Sequence, residues 1–186
     1  MRVVDRVAVQ QVAQMQEVDR AAVQQVVELI RGLPLDAFVC IDTSGPTLAA
    51  ALDLPVDLLK INMHELSAAL GQPITTPDQA RAAAVAVLQR GPQRVVVTLG
   101  AQGAVAVDAH GVWRARTPPV EPISPVGSGD AALAGIITVL HSGGSLAEAV
   151  RMGVACGGAN TLTVGAGCLS LDDVTRLYAA TELMAM

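Results

Sequence analysis

The run Pro125-Val126-Gly127-Ser128-Gly129-Asp130 places two glycines and an aspartate where an irregular segment turns into a helix of small residues. Backbone N–H groups at a helix start can point together at one anion, and glycine lets a phosphate approach without obstruction by Cβ. A carboxylate is an unexpected neighbour for a bound anion, so Asp130 indicates a base that takes a hydroxyl proton. The alternative is an ordinary helix start, in which Asp130 stabilises the positive end of the helix dipole by about 0.3–1 kcal/mol.

Polar and glycine residues also follow two predicted strands, and their types suit a nucleotide phosphotransferase. They are Lys60, Asn62 and Glu65 after one strand, and Thr98, Gly100 and Gly103 after the other. A lysine neutralises phosphate charge, and an amide and a carboxylate three residues apart at a helix start can hold a hydrated Mg²⁺. The Thr98 hydroxyl and the Gly100 backbone would then contact the nucleotide.

Each of these groups has a structural alternative. The Asn62-x-x-Glu65 spacing also forms a capping box, in which the two residues satisfy each other's backbone N–H groups. Lys60 is equally compatible with a solvated strand end, and Gly100 and Gly103 with a tight turn into a hairpin. The order of the groups, with Asp130 downstream, favours the functional interpretation.

The predicted elements alternate between strands and helices, which is typical of parallel crossover units with ligands beyond the carboxyl ends of the strands. The predicted strands are 37–41, 58–61 and 95–99, followed by an antiparallel pair, 104–108 and 112–116. The predicted helices are 7–30, 46–52, 62–70, 77–90, 128–140, 145–161 and 170–184. A parallel sheet of this kind would bring the three groups of polar residues to one edge.

Composition restricts the class of protein. The chain has 186 residues, of which 52% are hydrophobic, so one α/β domain with a large core is expected. A formal net charge of −5, without a block of Lys or Arg, argues against nucleic acid or an anionic membrane as partner. Cys40, Cys156 and Cys168 lack the C-x-x-C spacing of a zinc site. Charges interrupt each apolar run near Met1, so we expect no signal peptide and a cytoplasmic protein.

Together, these motifs resemble the PfkB-type carbohydrate kinases of the ribokinase-like superfamily. The resemblance covers residues 37–178 and is carried by the segments 41–45 (IDTSG), 60–66 (KINMHEL), 97–104 (VTLGAQGA), 125–130 (PVGSGD) and 165–167 (GAG). It is strongest for the phosphosugar branch, which contains the minor 6-phosphofructokinase, 1-phosphofructokinase and tagatose-6-phosphate kinase. The resemblance implies a three-layer α/β sandwich with a mainly parallel sheet, and ATP, Mg²⁺ and a phosphosugar as ligands.

The resemblance also implies roles for the residues that match the reacting part of the family's site. Asp130 corresponds to the catalytic base, and residues 127–129 (Gly127, Ser128, Gly129) correspond to the anion hole. Asn62 and Glu65 match the motif that organises Mg²⁺ and phosphate. Lys60 matches the phosphate-contacting lysine of the phosphofructokinase branch.

Further residues match the family's nucleotide pocket. Thr98, Gly100 and Gly103 fall on the nucleotide loop. Asn160 and Gly165 lie in the stretch that forms a wall of the adenine pocket in these enzymes. All five are therefore expected to bind the nucleotide.

We expect this sequence to lack the family's long amino-terminal section, with its lid sheet and sugar-contacting residues. We therefore expect residues 1–36 to be a helical segment and residues 37–186 to be the nucleotide-binding part of a kinase domain, truncated at the N-terminus and without the lid. Two hypotheses follow. The chain is an ATP-dependent kinase of a phosphorylated hexose, or a non-catalytic nucleotide-binding fragment that self-associates as a homo-oligomer.

Overall fold

The computed structural model describes residues 17–34 and 36–186. The chain divides into two compact units, with the boundary between Val97 and Thr98. The predicted helix 7–30 is described only from Glu17, and its earlier residues lie outside the described part of the chain.

The first unit alternates helices and strands. Its elements are α1 (Glu17–Gly32), β1 (Cys40–Asp42), α2 (Gly45–Ala51), β2 (Leu58–Asn62), α3 (Met63–Leu70), α4 (Pro77–Leu88) and β3 (Arg94–Thr98). The strands lie in the order β1-β2-β3, and β1 pairs with β2 in parallel, with Asp42 opposite Lys60. The first four residues of β2 and the three central valines of β3 are buried, as expected for strands covered on both faces.

Side-chain caps fix where two helices of this unit begin. Asn62 and Thr76 each accept a hydrogen bond from the backbone N–H three residues later, and Glu65 and Gln79 return the bond. Such capping boxes satisfy two N–H groups that a helix start leaves without a partner. The Asn62 cap therefore places the start of α3 directly after β2, and the Thr76 cap fixes the start of α4.

The second unit combines an antiparallel sheet with three helices. Its elements are β4 (Ala104–Asp108), β5 (Gly111–Arg116), α5 (Ser128–His141), α6 (Leu146–Thr161), α7 (Leu171–Ala180) and β6 (Glu182–Ala185). β5 pairs antiparallel with both β4 and β6. Helices α5 and α6 pack so closely that a Cβ added at Gly153 would lie 2.6 Å from Cγ1 of Ile136.

The α/β class, the parallel pairing in the first unit and the β4–β5 hairpin are as predicted. The prediction of a helix over 170–184 is wrong at its end, because α7 stops at Ala180 and β6 follows. Thr181 has extended backbone angles, and Glu182 to Ala185 pair with β5 instead of continuing the helix. The first strand is also shifted, since it covers Cys40–Asp42 rather than 37–41.

Among the helices that the structure describes, none combines the length and the apolar character needed to cross a membrane. The expected cytoplasmic location, and the expected absence of nucleic-acid and membrane partners, stay predictions.

Candidate functional site

The start of α5 carries backbone donors that have no partner among the described residues. The cap residue is Gly127, which has no side chain with which to cover the helix end. The Ser128 N–H donates to the Pro125 carbonyl at 3.2 Å, whereas the N–H groups of Gly129 and Asp130 make no hydrogen bond in the part of the chain that the structure describes. Uncovered amides at the positive end of a helix form a site suited to an anion.

Only glycine fits at position 127. Its φ of +81° lies in the left-handed region, which side chains with a Cβ rarely adopt. A Cβ added there would lie 2.6 Å from the Cα of Ala166. Close packing of this turn against the loop that contains Ala166 thus sets the direction in which α5 begins.

A cavity of about 450 Å³ lies within the second unit. Five residues that the sequence predicted to bind the nucleotide or the anion line it: Thr98, Gly100, Gly103, Ser128 and Gly129. The rest of the wall is mostly proline, glycine and other small residues, and Arg116 is the only charged residue among the described residues that line it. Most ligand pockets likewise combine an apolar wall with a few polar groups.

The glycine turn after β3 serves the hairpin as well as the cavity. The Leu99 N–H donates to the Gly103 carbonyl at 2.8 Å, and the Gly103 N–H donates to the Gly100 carbonyl at 3.0 Å. A Cβ on Gly103 would overlap the Ala115 carbonyl oxygen of β5. Gly103 is therefore required for the tight turn into the hairpin, which was the alternative to a binding role. It lines the cavity as well.

Asp130 lies in the first turn of α5 with its side chain exposed. It does not line the cavity, although its neighbours Ser128 and Gly129 do. An exposed carboxylate next to two uncovered amides is accessible to a substrate hydroxyl. Its role as the base stays a prediction.

In the first unit, Lys60 is buried with 5% of its surface exposed. Its Nζ forms an ion pair with Oδ2 of Asp42 at 2.6 Å, directly across β1 and β2. Lys60 is therefore not a solvated strand end. Nearby on β1, burial, followed by the charge of Asp42, raises the pKa of the Cys40 thiol to about 11, so this thiol stays protonated at neutral pH.

Asn62 and Glu65 form the capping box of α3. The Asn62 N–H donates to Oε2 of Glu65, and the Glu65 N–H donates to Oδ1 of Asn62, both at 2.9 Å. The other carboxylate oxygen of Glu65, Oε1, accepts no hydrogen bond from the described residues. Within residues 17–34 and 36–186, no cluster of three or more His, Cys, Asp or Glu side chains is arranged to bind a metal.

Asn160 and Gly165 were expected in a wall of the nucleotide pocket, and neither lines the cavity. The Asn160 side chain is completely buried. Its Nδ2 donates to the Val126 carbonyl at 2.8 Å, and its Oδ1 accepts from the Gly167 N–H at 2.9 Å. Gly165 has a φ of +112°, and a Cβ there would lie 3.2 Å from Sγ of Cys168.

Comparison with known proteins shows the family. The model of the pfkB family carbohydrate kinases matches residues 4–172. The chain belongs to the pfkB family of carbohydrate kinases. The matched range begins before residue 37, where we expected the resemblance to start.

Individual pfkB relatives support the phosphosugar branch. The chain is 41% identical over 155 residues to the ATP-dependent 6-phosphofructokinase isozyme 2 of Escherichia coli, a match that covers 82% of this chain and 50% of the relative. It is 42% identical over 120 residues to the 1-phosphofructokinase of Rhodobacter capsulatus, covering 64% of this chain and 38% of the relative. The crystal structure of phosphofructokinase-2 from Escherichia coli in complex with potassium superposes with a TM-score of 0.77 at 36% identity, covering 88% of this chain and 52% of that one. The matches thus span from 38% to 52% of the length of these relatives.

The predicted pfkB site residues fall in both units. Thr98, Gly100, Gly103, Ser128 and Gly129 line one cavity of the second unit, beside Gly127 and Asp130. Lys60, Asn62 and Glu65 belong to the first unit. Their expected convergence with Asp130 stays a prediction.

Several residues of the cavity wall were not predicted from the sequence. These are Arg116, Thr117, Pro118, Pro119, Val120, Pro122, Val154, Gly157 and Gly158. Thr161 also lines the cavity, and it belongs to the stretch 160–167 that the family resemblance assigned to the nucleotide pocket. A pair of glycines inside a helix is unfavourable for helix stability, so Gly157-Gly158 in α6 was a detectable signal of close approach. Arg116 gave no such signal, because a charged residue at a strand end is common.

Proposed function

We propose that this chain carries the nucleotide-binding part of an ATP-dependent kinase that phosphorylates a hydroxyl of a phosphorylated hexose. One observation supports it above the others: residues of the glycine turn and of the uncapped start of α5 line the same cavity. The cavity would take the base and ribose of ATP against its apolar wall. The amides at the start of α5 would then face the phosphates.

The chemistry follows from the residues at that helix start. The carboxylate of Asp130 takes the proton of the sugar hydroxyl as its oxygen attacks the γ-phosphorus, and the bond to the β,γ-bridging oxygen breaks to release ADP. The free amide of Gly129, in the predicted anion hole 127–129, and that of Asp130 next to it stabilise the charge on the transferred phosphoryl group. The helix dipole favours the same negative charge.

Of the two residues predicted to hold Mg²⁺, Glu65 offers an oxygen that makes no hydrogen bond to the described residues, whereas the Asn62 oxygen is already bonded. Oε1 of Glu65 is one available carboxylate oxygen, and Asn62 already uses its Oδ1 in the capping box. Mg²⁺ in phosphotransferases keeps several waters and binds one or two carboxylates together with substrate phosphates, so Glu65 would hold it chiefly through water. When bound, the ion neutralises phosphate charge.

The acceptor is proposed by analogy with the relatives. Their names specify 6-phosphofructokinase and 1-phosphofructokinase, so fructose 6-phosphate and fructose 1-phosphate are the first acceptors to test. Tagatose 6-phosphate is the third. Lys60 would contact phosphate only if its ion pair with Asp42 opens or is shared.

Calorimetry with ATP and Mg²⁺, followed by a coupled assay of ADP release with each of the three sugars, tests the proposal. Asp130→Asn should lower kcat by about 10²–10⁴-fold, because it removes the base, while ATP affinity is unchanged. Asp172→Asn is the matched control, since Asp172 is also an exposed aspartate in the first turn of a helix. It should leave both quantities unchanged.

Three results would count against parts of the proposal. Turnover that survives in Asp130→Asn would exclude Asp130 as the base. ATP binding without turnover on any of the three sugars would support the alternative of a non-catalytic nucleotide-binding fragment. A folded sample that binds no ATP would exclude both.

A further inference from the structure

Asn160 is a buried polar side chain whose two ends bind two different loops. It belongs to the last turn of α6, and none of its surface is exposed. Nδ2 donates to the carbonyl of Val126, the residue immediately before the glycine cap of α5. Oδ1 accepts from the N–H of Gly167, in the loop that follows α6. The side-chain amide therefore bridges the two segments that meet at Gly127.

Neighbouring contacts tie the same segments to the end of α6. The N–H groups of Ile123 and Ser124 both donate to the carbonyl of Thr161, at 2.7 and 3.1 Å. At the other end of the segment, Gly127 packs so closely on Ala166 that no Cβ would fit between them. Asn160 bonds Val126 and Gly167, which are the chain neighbours of Gly127 and Ala166, so it is well placed to fix the turn.

We propose that Asn160 is a positioning residue for the anion-binding start of α5. By holding the Val126 carbonyl and the Gly167 N–H, it keeps Gly127 in its left-handed conformation and directs the amides of Gly129 and Asp130 at a bound phosphate. This inference rests on the proposed function, because it specifies how the same site is held in place. It gives Asn160 an indirect role beside the expected contact with the nucleotide, which stays a prediction.

The positioning role requires a hydrogen-bond donor and an acceptor on the side chain at position 160. Asparagine offers one donor and one acceptor on a short, rigid side chain. Aspartate has the same shape and still accepts from Gly167, but it has no N–H for the Val126 carbonyl. Alanine offers neither group. The two substitutions therefore separate the bond to Val126 from the bond to Gly167.

The test compares ATP with adenosine, which lacks the phosphates, by calorimetry on the full chain. Asn160→Ala and Asn160→Asp should each weaken ATP binding by about 10- to 100-fold, because a displaced donor loses most of its stabilisation of an anion. Adenosine affinity should change by less than about twofold. Val150→Ala is the control, since Val150 is fully buried in the same helix and makes no such bridge. It should lower the melting temperature without changing the ratio of the two affinities.

Equal weakening of ATP and adenosine in the Asn160 variants would overturn the inference, since it would indicate a contact with the base or a general loss of structure. Unchanged affinities would overturn it as well. If the unmodified chain binds neither ligand, the proposed function fails, and hydrogen exchange then tests the bridge separately. Exchange of the Gly167 and Ser128 amides, both of which are hydrogen-bonded, should be faster in Asn160→Ala by about tenfold or more, and unchanged exchange would show that no bridge exists.

Discussion

The starts of α3 and α5 are both helix termini that the sequence marked as functional, and they are built in opposite ways. At α3, Asn62 and Glu65 satisfy each other's backbone N–H groups. At α5, the cap is a glycine, and the N–H groups of Gly129 and Asp130 have no partner in the described part of the chain. The same local motif, a polar residue three positions from the cap, therefore serves the helix in one case and leaves donors for a ligand in the other.

A helix start that serves the fold is therefore distinguished from one that binds a ligand by whether a side chain covers its N–H groups. α4 and α6 follow the pattern of α3, with the pairs Thr76–Gln79 and Ser145–Glu148. A side chain that covers the helix start competes with any ligand for the same donors. A glycine cap held by packing, as at Gly127, gives up local stability and keeps the amides accessible.

Disruption of the glycine cap of α5 should have the greatest consequence for stability and binding. Gly127→Ala combines a left-handed φ, which costs about 1–2 kcal/mol for an L residue, with an overlap with Ala166 that adds about 1–3 kcal/mol. We expect a loss of about 2–5 kcal/mol in the free energy of unfolding, together with loss of ATP binding. Urea denaturation and calorimetry measure the two effects.

Gly143→Ala is the control for this substitution. Gly143 has nearly the same φ, +80°, but no described atom lies within 4 Å of an added Cβ. It should cost only the conformational part, about 1–2 kcal/mol, and leave ATP binding unchanged. Equal effects at the two glycines would show that packing on Ala166 contributes nothing.

A smaller effect is expected at the start of α3. Asn62→Ala removes the side-chain acceptor of the capping box and should lower the free energy of unfolding by about 1 kcal/mol. The shift in the urea midpoint measures it. A negligible shift would mean that water replaces this cap without cost, which would remove the contrast with α5.

Ser128→Ala should have a smaller effect still. At α5 the backbone rather than the side chain is proposed to bind the anion, and the Ser128 side chain makes no hydrogen bond to the residues that the structure describes, while its N–H donates to Pro125. We expect less than about 0.5 kcal/mol in unfolding free energy, typical of a change that removes no buried contact, and unchanged ATP affinity. A large loss of ATP affinity would assign the binding to the hydroxyl instead.

The smallest effect concerns pH at the start of α6. Hydrogen bonds from the backbone and side chain of Ser145 lower the pKa of Glu148 below its ordinary value of 4.5. The stabilisation is therefore fully present above pH 4.5 and is lost as the pH falls through the lowered, folded-state pKa. Urea midpoints of the unmodified chain and Glu148→Gln, measured from about pH 7 to about pH 3, should converge as the pH falls. A constant difference would exclude this linkage.

Local signals predicted much of the fold. The capping boxes at Asn62, Thr76 and Ser145 each begin a helix as expected. The His110-Gly111 turn forms the β4–β5 hairpin, where Asp108 accepts from both backbone N–H groups of the turn. These features depend on residues within a few positions of one another, so the sequence alone determines them.

The features that were not predicted depend on residues far apart in the chain. Glu182-Leu183-Met184-Ala185 consists of good helix formers, yet pairing with β5 makes it a strand. The bond between Lys60 and Asp42 requires the register of β1 on β2, and the buried position of Asn160 requires the packing of α6 against the turn before α5. Neither can be derived from spacing along the sequence.

Four prolines, Pro118, Pro119, Pro122 and Pro125, line the cavity of the second unit. Their rings fix φ, so this part of the wall has few conformations to lose when a ligand arrives. Ligand binding should consequently order the protein little on this side of the cavity. Selectivity among planar ligands would come from the fixed shape of this part of the wall. Replacing one of these prolines with a flexible residue should reduce the selectivity among planar ligands more than it reduces the affinity for any one of them.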